Sequence, residues 1–168
     1  MESVARELRE ACKAAGEEVH TYFHASGGVV IAYAPARARM PEEVEVLAGR
    51  EIRSSPDNLA ARITLTAMRF DPGIRSVAVL AYEPAIISAA EGMLMEICSF
   101  DRSREPPGIA TIDWGVAFCC EKTDGVPDLI FDTGAQGKDP LIRILGENPT
   151  SVYTSLNRII TRIKNTNS

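Results

Sequence analysis

Residues 75–82, RSVAVLAY, form an almost unbroken apolar run, and no other segment constrains the fold of this chain as tightly. A strand that alternates apolar and polar residues can leave one face in water. A strand that does not alternate must be covered on both faces. Residues 75–82 therefore read as a central strand. A second continuous β-rich run, residues 29–33 (VVIAY), makes the same demand. Elsewhere apolar residues recur at helical spacing, so strands and helices alternate along the chain. That pattern argues for an α/β fold, a sheet with helices on both sides. Phe131 and Leu141 are too close in sequence for a helical crossover, so a mixed sheet is expected. The order of the strands does not follow from this.

Residues 2–24 read as one helix, with Val4, Leu8, Ala11 and Ala15 at steps of three and four. Pro41 suits the first turn of a short helix over 42–47, and residues 49–53 fit no single pattern. A helix capped by Ser55 or Asp57 carries Leu59, Ile63, Ala67 and Phe70 inward. Residues 84–91 read as a helix, 93–100 as a strand and 109–122 as a helix. Residues 149–164 close the chain as a helix with Val152, Leu156, Ile159, Ile160 and Ile163 inward. The 168 residues are expected to form one domain with a real core.

A net charge of −5 provides no basic field for nucleic acid. No uncharged apolar run approaches the roughly 20 residues a membrane span needs. Residues 1–9 are amphipathic and unlike a signal peptide, so a cytoplasmic location is expected. Cys12, Cys98, Cys119 and Cys120 show no CxxC spacing and read as reduced thiols, with Cys98 and Cys119 inside apolar patterns. His20 and His24 share a helix face but lack the glutamate of HExxH, and read as ordinary helix residues rather than a metal site.

The chemistry concentrates in residues 126–149, VPDLIFDTGAQGKDPLIRILGENP. Two strand-like runs flank a loop holding Asp132, Gly134, Gly137, Lys138 and Asp139. Its glycines permit positive φ and a close ligand approach to backbone amides. Spacing alone leaves two readings open, a phosphate site and a solvated turn with a surface lysine. Asp101 and Arg102 lie on a charged loop after a strand, where polar groups can converge on a ligand. Ser55 and Asn58 stand at a helix start that, with Arg39 and Arg50 in the flanking sequence, reads either as an anion site or as a simply capped helix.

Several stretches together resemble the ThiN-type thiamine-phosphate synthase domain, a family known mainly from archaea. They are residues 127–132 (PDLIFD), Gly134, and 137–146 (GKDPLIRILG). Phe100-Asp101-Arg102 with Glu105-Pro106, Trp114-Gly115-Val116, and residues 67–72 (AMRFDP) with Ile74-Arg75 also fit. In that family the domain is fused to a pyrimidine kinase, or to a DNA-binding region in thiamine regulators. The resemblance implies a three-layer α/β/α fold with a mixed, largely antiparallel sheet, as in class II aldolases. It implies condensation of hydroxymethylpyrimidine diphosphate with thiazole phosphate, releasing pyrophosphate, with magnesium as cofactor. Lys138, the glycine amides and Arg50 or Arg39 would then meet the departing pyrophosphate, and Asp132 or Asp101 would hold magnesium or the pyrimidine amine. The partners would be phosphorylated small molecules, with a homo-oligomer compatible with such a fold. The resemblance fails at two places, one of them the strand 75–82, where Val79 and Ala81 stand in place of a polar residue that the family's enzymes tend to have. The family's enzymes carry a histidine at the start of the helix that ends in residues 67–72, and here residues 55–62 (SPDNLAAR) hold none. That departure favours binding of thiamine phosphate over its synthesis.

Overall fold

The computed structural model describes residues 2–48, 51–53, 59–106 and 111–166. Among them the chain forms seven strands: β1 (Val30–Tyr33), β2 (Glu45–Ala48), β3 (Glu51–Arg53), β4 (Ser76–Ala81), β5 (Ile97–Ser99), β6 (Leu129–Phe131) and β7 (Leu141–Gly146). They make one open sheet in the order β3-β2-β1-β4-β7-β6-β5. All neighbours run antiparallel except β5 and β6. The sheet is mixed and largely antiparallel, as expected. The run 75–82 contributes β4, which stands at the centre with five of its six residues buried.

Six helices cover both faces: α1 (Glu2–Ala15), α2 (Glu17–His24), α3 (Leu59–Phe70), α4 (Pro84–Gly92), α5 (Thr111–Thr123) and α6 (Pro149–Thr166). Ile31, Ala78, Leu80, Ile142 and Ile144 point to one core with α1, α2, α4 and α6. Ala32, Val77, Val79, Ile130 and Leu145 point to a second core with α3 and α5. Successive strand residues alternate between these cores, which is why β1 and β4 carry no polar face. The four cysteines are buried and none forms a disulfide among the described residues. Burial pushes the Cys120 thiol up to about 11.

Three expectations fail for local reasons. Residues 2–24 are two helices, because Gly16 sits at φ 83° and no helix continues through that angle. Residues 42–47 are not a helix. Pro41–Glu43 makes one 3-10 turn, and Val46 and Leu47 then send their side chains into opposite cores as part of β2. Pairing with β1 overrides the local preference. The strand expected over 93–100 shortens to β5, because α4 closes through residues 93–95. There Met95 N–H donates to the Ala90 carbonyl and Leu94 N–H to that of Glu91. This closing turn puts Leu94 at φ 60° while leaving it 92% exposed. Glycine is the usual residue there, since an L-residue at that angle costs about 1–2 kcal/mol. Leu94→Gly is expected to raise stability by about 1 kcal/mol, read as a higher urea midpoint with an unchanged slope.

Candidate functional site

The strand registers define the ends of the sheet. Ala81 pairs with Leu141, Phe131 with Ile142 and Ser99 with Phe131. Segments 100–106 and 132–140 therefore leave the sheet at the same end and meet there. Asp132 follows β6 directly. Its N–H donates to the Leu141 carbonyl at 3.1 Å, and its Oδ1 accepts from Gly134 N–H at 2.9 Å. Its side chain is fully buried. Gly134 takes φ 84°, and a Cβ there would meet the Lys138 carbonyl oxygen at 2.8 Å. The loop then closes as a two-residue turn in which Ala135 and Lys138 exchange backbone hydrogen bonds of 3.1 and 2.9 Å, with Gly137 at φ 73°. The glycines that marked this loop in the sequence are thus required by its backbone.

A chain of five charges threads this end. Arg143 Nη1 lies 3.0 Å from Asp132 Oδ2. Arg102 Nη1 lies 3.7 Å from Asp132 Oδ1 and donates to the Asp139 carbonyl at 2.6 Å. Arg102 Nε stands 3.8 Å from Glu105 Oε1, and Lys138 Nζ donates to Glu105 Oε2 at 2.6 Å. Three cations face two carboxylates, so the cluster carries one net positive charge. Arg143 is 1% exposed, and its guanidinium lies 4.9 Å from the centre of the Phe100 ring. Burial lowers the Arg143 guanidinium from its ordinary value, and the Asp132 carboxylate pulls it back.

The cluster is incompletely satisfied. Asp132 Oδ2, Arg102 Nε and Arg143 Nε are the buried side-chain polar atoms with no hydrogen-bond partner among the described residues. The Arg143 contact to Asp132 Oδ2 is an ion pair by distance without hydrogen-bond alignment. Buried polar groups are nearly always bonded, so three orphans in one place make this cluster the candidate site. Two of the three are N–H donors, suited to an oxyanion.

Asp101 lies close by in the chain but in different surroundings. It is exposed, and its Oδ1 accepts from Ser103 Oγ at 2.6 Å and Ser103 N–H at 2.9 Å. These bonds, the hydroxyl's first, hold its carboxyl below the usual value. It borders a cleft of about 730 Å³ that Asp132 also lines.

The structure brings Lys138, Asp132, Gly134, Gly137, Arg102 and Asp101 together. It separates Arg39 from them. Tyr33 pairs with Ser76 and Ser76 with Gly146, so the loop after β1 leaves at the opposite end of the sheet. There Arg39 joins Arg37 and Arg69 around a different cleft. Arg39 is thus removed from the loop's site by the direction of β1. Arg50, Ser55 and Asn58 lie outside the described residues. Magnesium binds one or two carboxylates together with substrate phosphates. Asp132 does not fit that role, since it is fully buried between two guanidinium groups. Of the two carboxylates expected to hold magnesium, Asp101 is the exposed one. No group of three or more histidine, cysteine or acidic side chains among the described residues is placed to hold a metal.

Sequence reasoning missed Arg143 and Glu105 as members of the site. The signal for Arg143 was present: a charge inside the apolar run LIRIL is almost never buried without a partner. Glu105 carried no comparable mark.

A mixed sheet between two helical layers, with a charged cluster at one end, places the chain in the α/β class of aldolase-like folds. L-fuculose-1-phosphate aldolase from Thermus thermophilus shares the fold at a TM-score of 0.54 over 94% of this chain and 93% of that one, with 9% identity. The C-terminal domain of protein MJ0236 is far more similar, with a TM-score of 0.86 and 29% identity over 99% of this chain and 98% of that domain. The family model for thiamine-phosphate synthase ThiN matches residues 7–158, and the chain belongs to that family. Two relatives agree. The chain is 40% identical over 106 residues to the bifunctional thiamine biosynthesis protein ThiDN of Methanocaldococcus jannaschii, covering 63% of this chain and 25% of that protein. It is 32% identical over 109 residues to thiamine-phosphate synthase ThiN of Methanothermobacter thermautotrophicus, covering 62% and 57%. The matches thus span a quarter of the first relative's length and just over half of the second's.

Proposed function

We propose that this domain binds thiamine phosphate, or its phosphorylated pyrimidine and thiazole precursors, at the 132–140 loop, with synthase activity weakened or lost. The observation that carries the reading is the concentration of buried donors without a hydrogen-bond partner, Arg102 Nε and Arg143 Nε, beside Lys138 in a cluster of net positive charge. A phosphate group supplies the acceptors these donors lack. Lys138 reaches the cluster's outer edge, and the exposed Gln136–Gly137 turn next to it offers backbone amides.

The loss of activity rests on the histidines. The sequence has two, His20 and His24, both on α2. That helix packs into the core on the face opposite α3 and α5. His20 Nε2 lies 3.5 Å from Cys12 Sγ there. Neither histidine can replace the one the family's enzymes carry at the start of the helix corresponding to α3. An active synthase is the second reading, favoured by the names of the two relatives.

One assay decides between them. The protein is mixed with hydroxymethylpyrimidine diphosphate, thiazole phosphate and magnesium, and thiamine phosphate is measured. The expected result is no turnover together with saturable thiamine phosphate binding, which Lys138→Ala weakens about tenfold or more, the loss of one charge-assisted hydrogen bond. Ligand at a hundred times its dissociation constant is expected to stabilise the fold by about 2.7 kcal/mol. Turnover that Lys138→Ala abolishes would establish the synthase and refute the binding-only reading.

A further inference from the structure

We propose that the cleft between the turn after β1 and the end of α3 is a second ligand site, for a small polyvalent oxyanion. It lies at the opposite end of the sheet from the charge cluster and shares no residue with it. It is independent of what the 132–140 loop binds. The cleft has a volume of about 540 Å³, in the range of small-molecule sites.

Its lining carries charge of one sign. Arg37, Arg39 and Arg69 stand around an apolar floor of Leu65, Met68 and Pro72. Among the described residues no acidic side chain lines the cleft, in a chain whose net charge is −5. Two acids close in sequence are turned to backbone amides instead. Glu43 Oε1 accepts from the N–H groups of Arg39 and Met40 at 3.2 and 3.1 Å, and Asp71 Oδ1 accepts from Gly73 N–H at 2.9 Å. None of the three guanidinium groups has an ion-pair partner among the described residues. Like charges against an apolar wall focus their field into the cleft. Each guanidinium also presents a fork of N–H donors that matches the paired oxygens of a carboxylate or a phosphate. Three such cations repel one another. A ligand with several anionic oxygens relieves that repulsion, and a cation or a neutral molecule does not.

The backbone of the turn is a second, independent observation. Ala38 N–H donates to the Pro35 carbonyl at 3.2 Å, which closes a four-residue turn with Arg37 in its third position at φ 67°. Glycine or asparagine is the usual residue at that angle. A long L-side chain is strained there, and such strain persists only where the surroundings hold it. The surroundings do so on both sides. Before the turn, Arg75 Nε donates to the Ala34 carbonyl at 2.9 Å, with its guanidinium 5.0 Å from the centre of the Tyr33 ring. After the turn, the Glu43 carboxylate ties down the Arg39 amide. The Arg37 side chain is itself exposed, on the cleft. A braced turn that keeps arginine where glycine is easier thus sets a guanidinium at the cleft.

Citrate and inorganic tripolyphosphate, one carboxylate and one phosphate probe, are titrated by calorimetry against the Lys138→Ala protein, in which the charge cluster is disabled. At least one of the two is expected to bind. Adding Arg37→Gly or Arg69→Gln is expected to weaken that binding about tenfold or more, the loss of one charge-assisted hydrogen bond. Arg37→Gly suits φ 67° and is expected to melt no lower than its parent, so lost binding there is not lost folding. Arg6→Gln removes the same charge from α1, on the other face of the sheet, and is expected to leave affinity unchanged. Citrate binding alone would make the ligand a polycarboxylate, tripolyphosphate binding alone a polyphosphate, and either supports the site. Binding of neither probe would overturn it. So would affinity that Arg37→Gly and Arg69→Gln leave intact, or that Arg6→Gln reduces as much as they do. Each of these results leaves the reading of the 132–140 loop untouched, since thiamine phosphate binding is measured separately.

Discussion

Asp132→Ala is expected to cost about 3–5 kcal/mol of stability, the range for breaking a buried ion pair by removing one partner. The reason is what it leaves behind. Arg143 is 1% exposed and its guanidinium has Asp132 as its nearest carboxylate, at 3.0 Å. Without that carboxylate, burial acts unopposed on the charged form. Arg143 stands in the middle of β7, between Val79 and Ile130 in register. In a chain of this size the loss corresponds to a melting temperature lower by roughly 10 °C. The double variant Asp132→Leu/Arg143→Met removes both charges and is expected to be markedly more stable than Asp132→Ala, because the buried Arg143 charge is removed along with its partner. Urea unfolding of the parent, Asp132→Leu, Arg143→Met and the double variant measures the coupling. Losses that simply add would mean the two residues do not act as a pair.

Gly115→Ala is expected to destabilise by about 1–3 kcal/mol, as overpacking a filled core does. Helix propensity alone points the other way, since alanine in the middle of α5 is favoured over glycine by about 1 kcal/mol. Packing decides the sign. A Cβ on Gly115 would stand 2.2 Å from the Phe100 ring. Phe100 has little room to yield, because the Arg143 guanidinium stacks on the ring and Trp114 abuts its edge. The near-ultraviolet circular dichroism of Trp114 is expected to change with the shift of Phe100. A Gly115→Ala protein more stable than the parent, with an unchanged Trp114 signal, would show that Phe100 moves freely.

The family resemblance and the structure agree on the loop for one physical reason. Gly134 and Gly137 are conformational requirements, at φ 84° and 73°, and a residue required by backbone sterics is visible in a sequence. Asp132 was legible as a site residue but its role was not. The resemblance makes it a carboxylate for magnesium or the pyrimidine amine. In the fold it is the buried counter-charge of two arginines. Arg39 shows the complementary error. It belongs to the same count of arginines as Arg102, but the antiparallel direction of β1 carries it to the far end of the sheet.

The sequence by itself determined the layers. Continuous apolar runs at 29–33 and 75–82 demand cover on both faces, and helical spacing at α3 and α6 provides the covering stripes. Those are local periodicities, set by side-chain direction alone. It also fixed the turn at 134–138, through glycine. Only the tertiary structure decided that residues 45–48 are a strand, which side of the sheet holds the histidines, and that Arg143, Asp132, Arg102, Glu105 and Lys138 form one line of charge. Each of these depends on which strand lies beside which and in what direction. That choice is made by long-range pairing and by the energy of neutralising buried charge, and neither leaves a period along the chain.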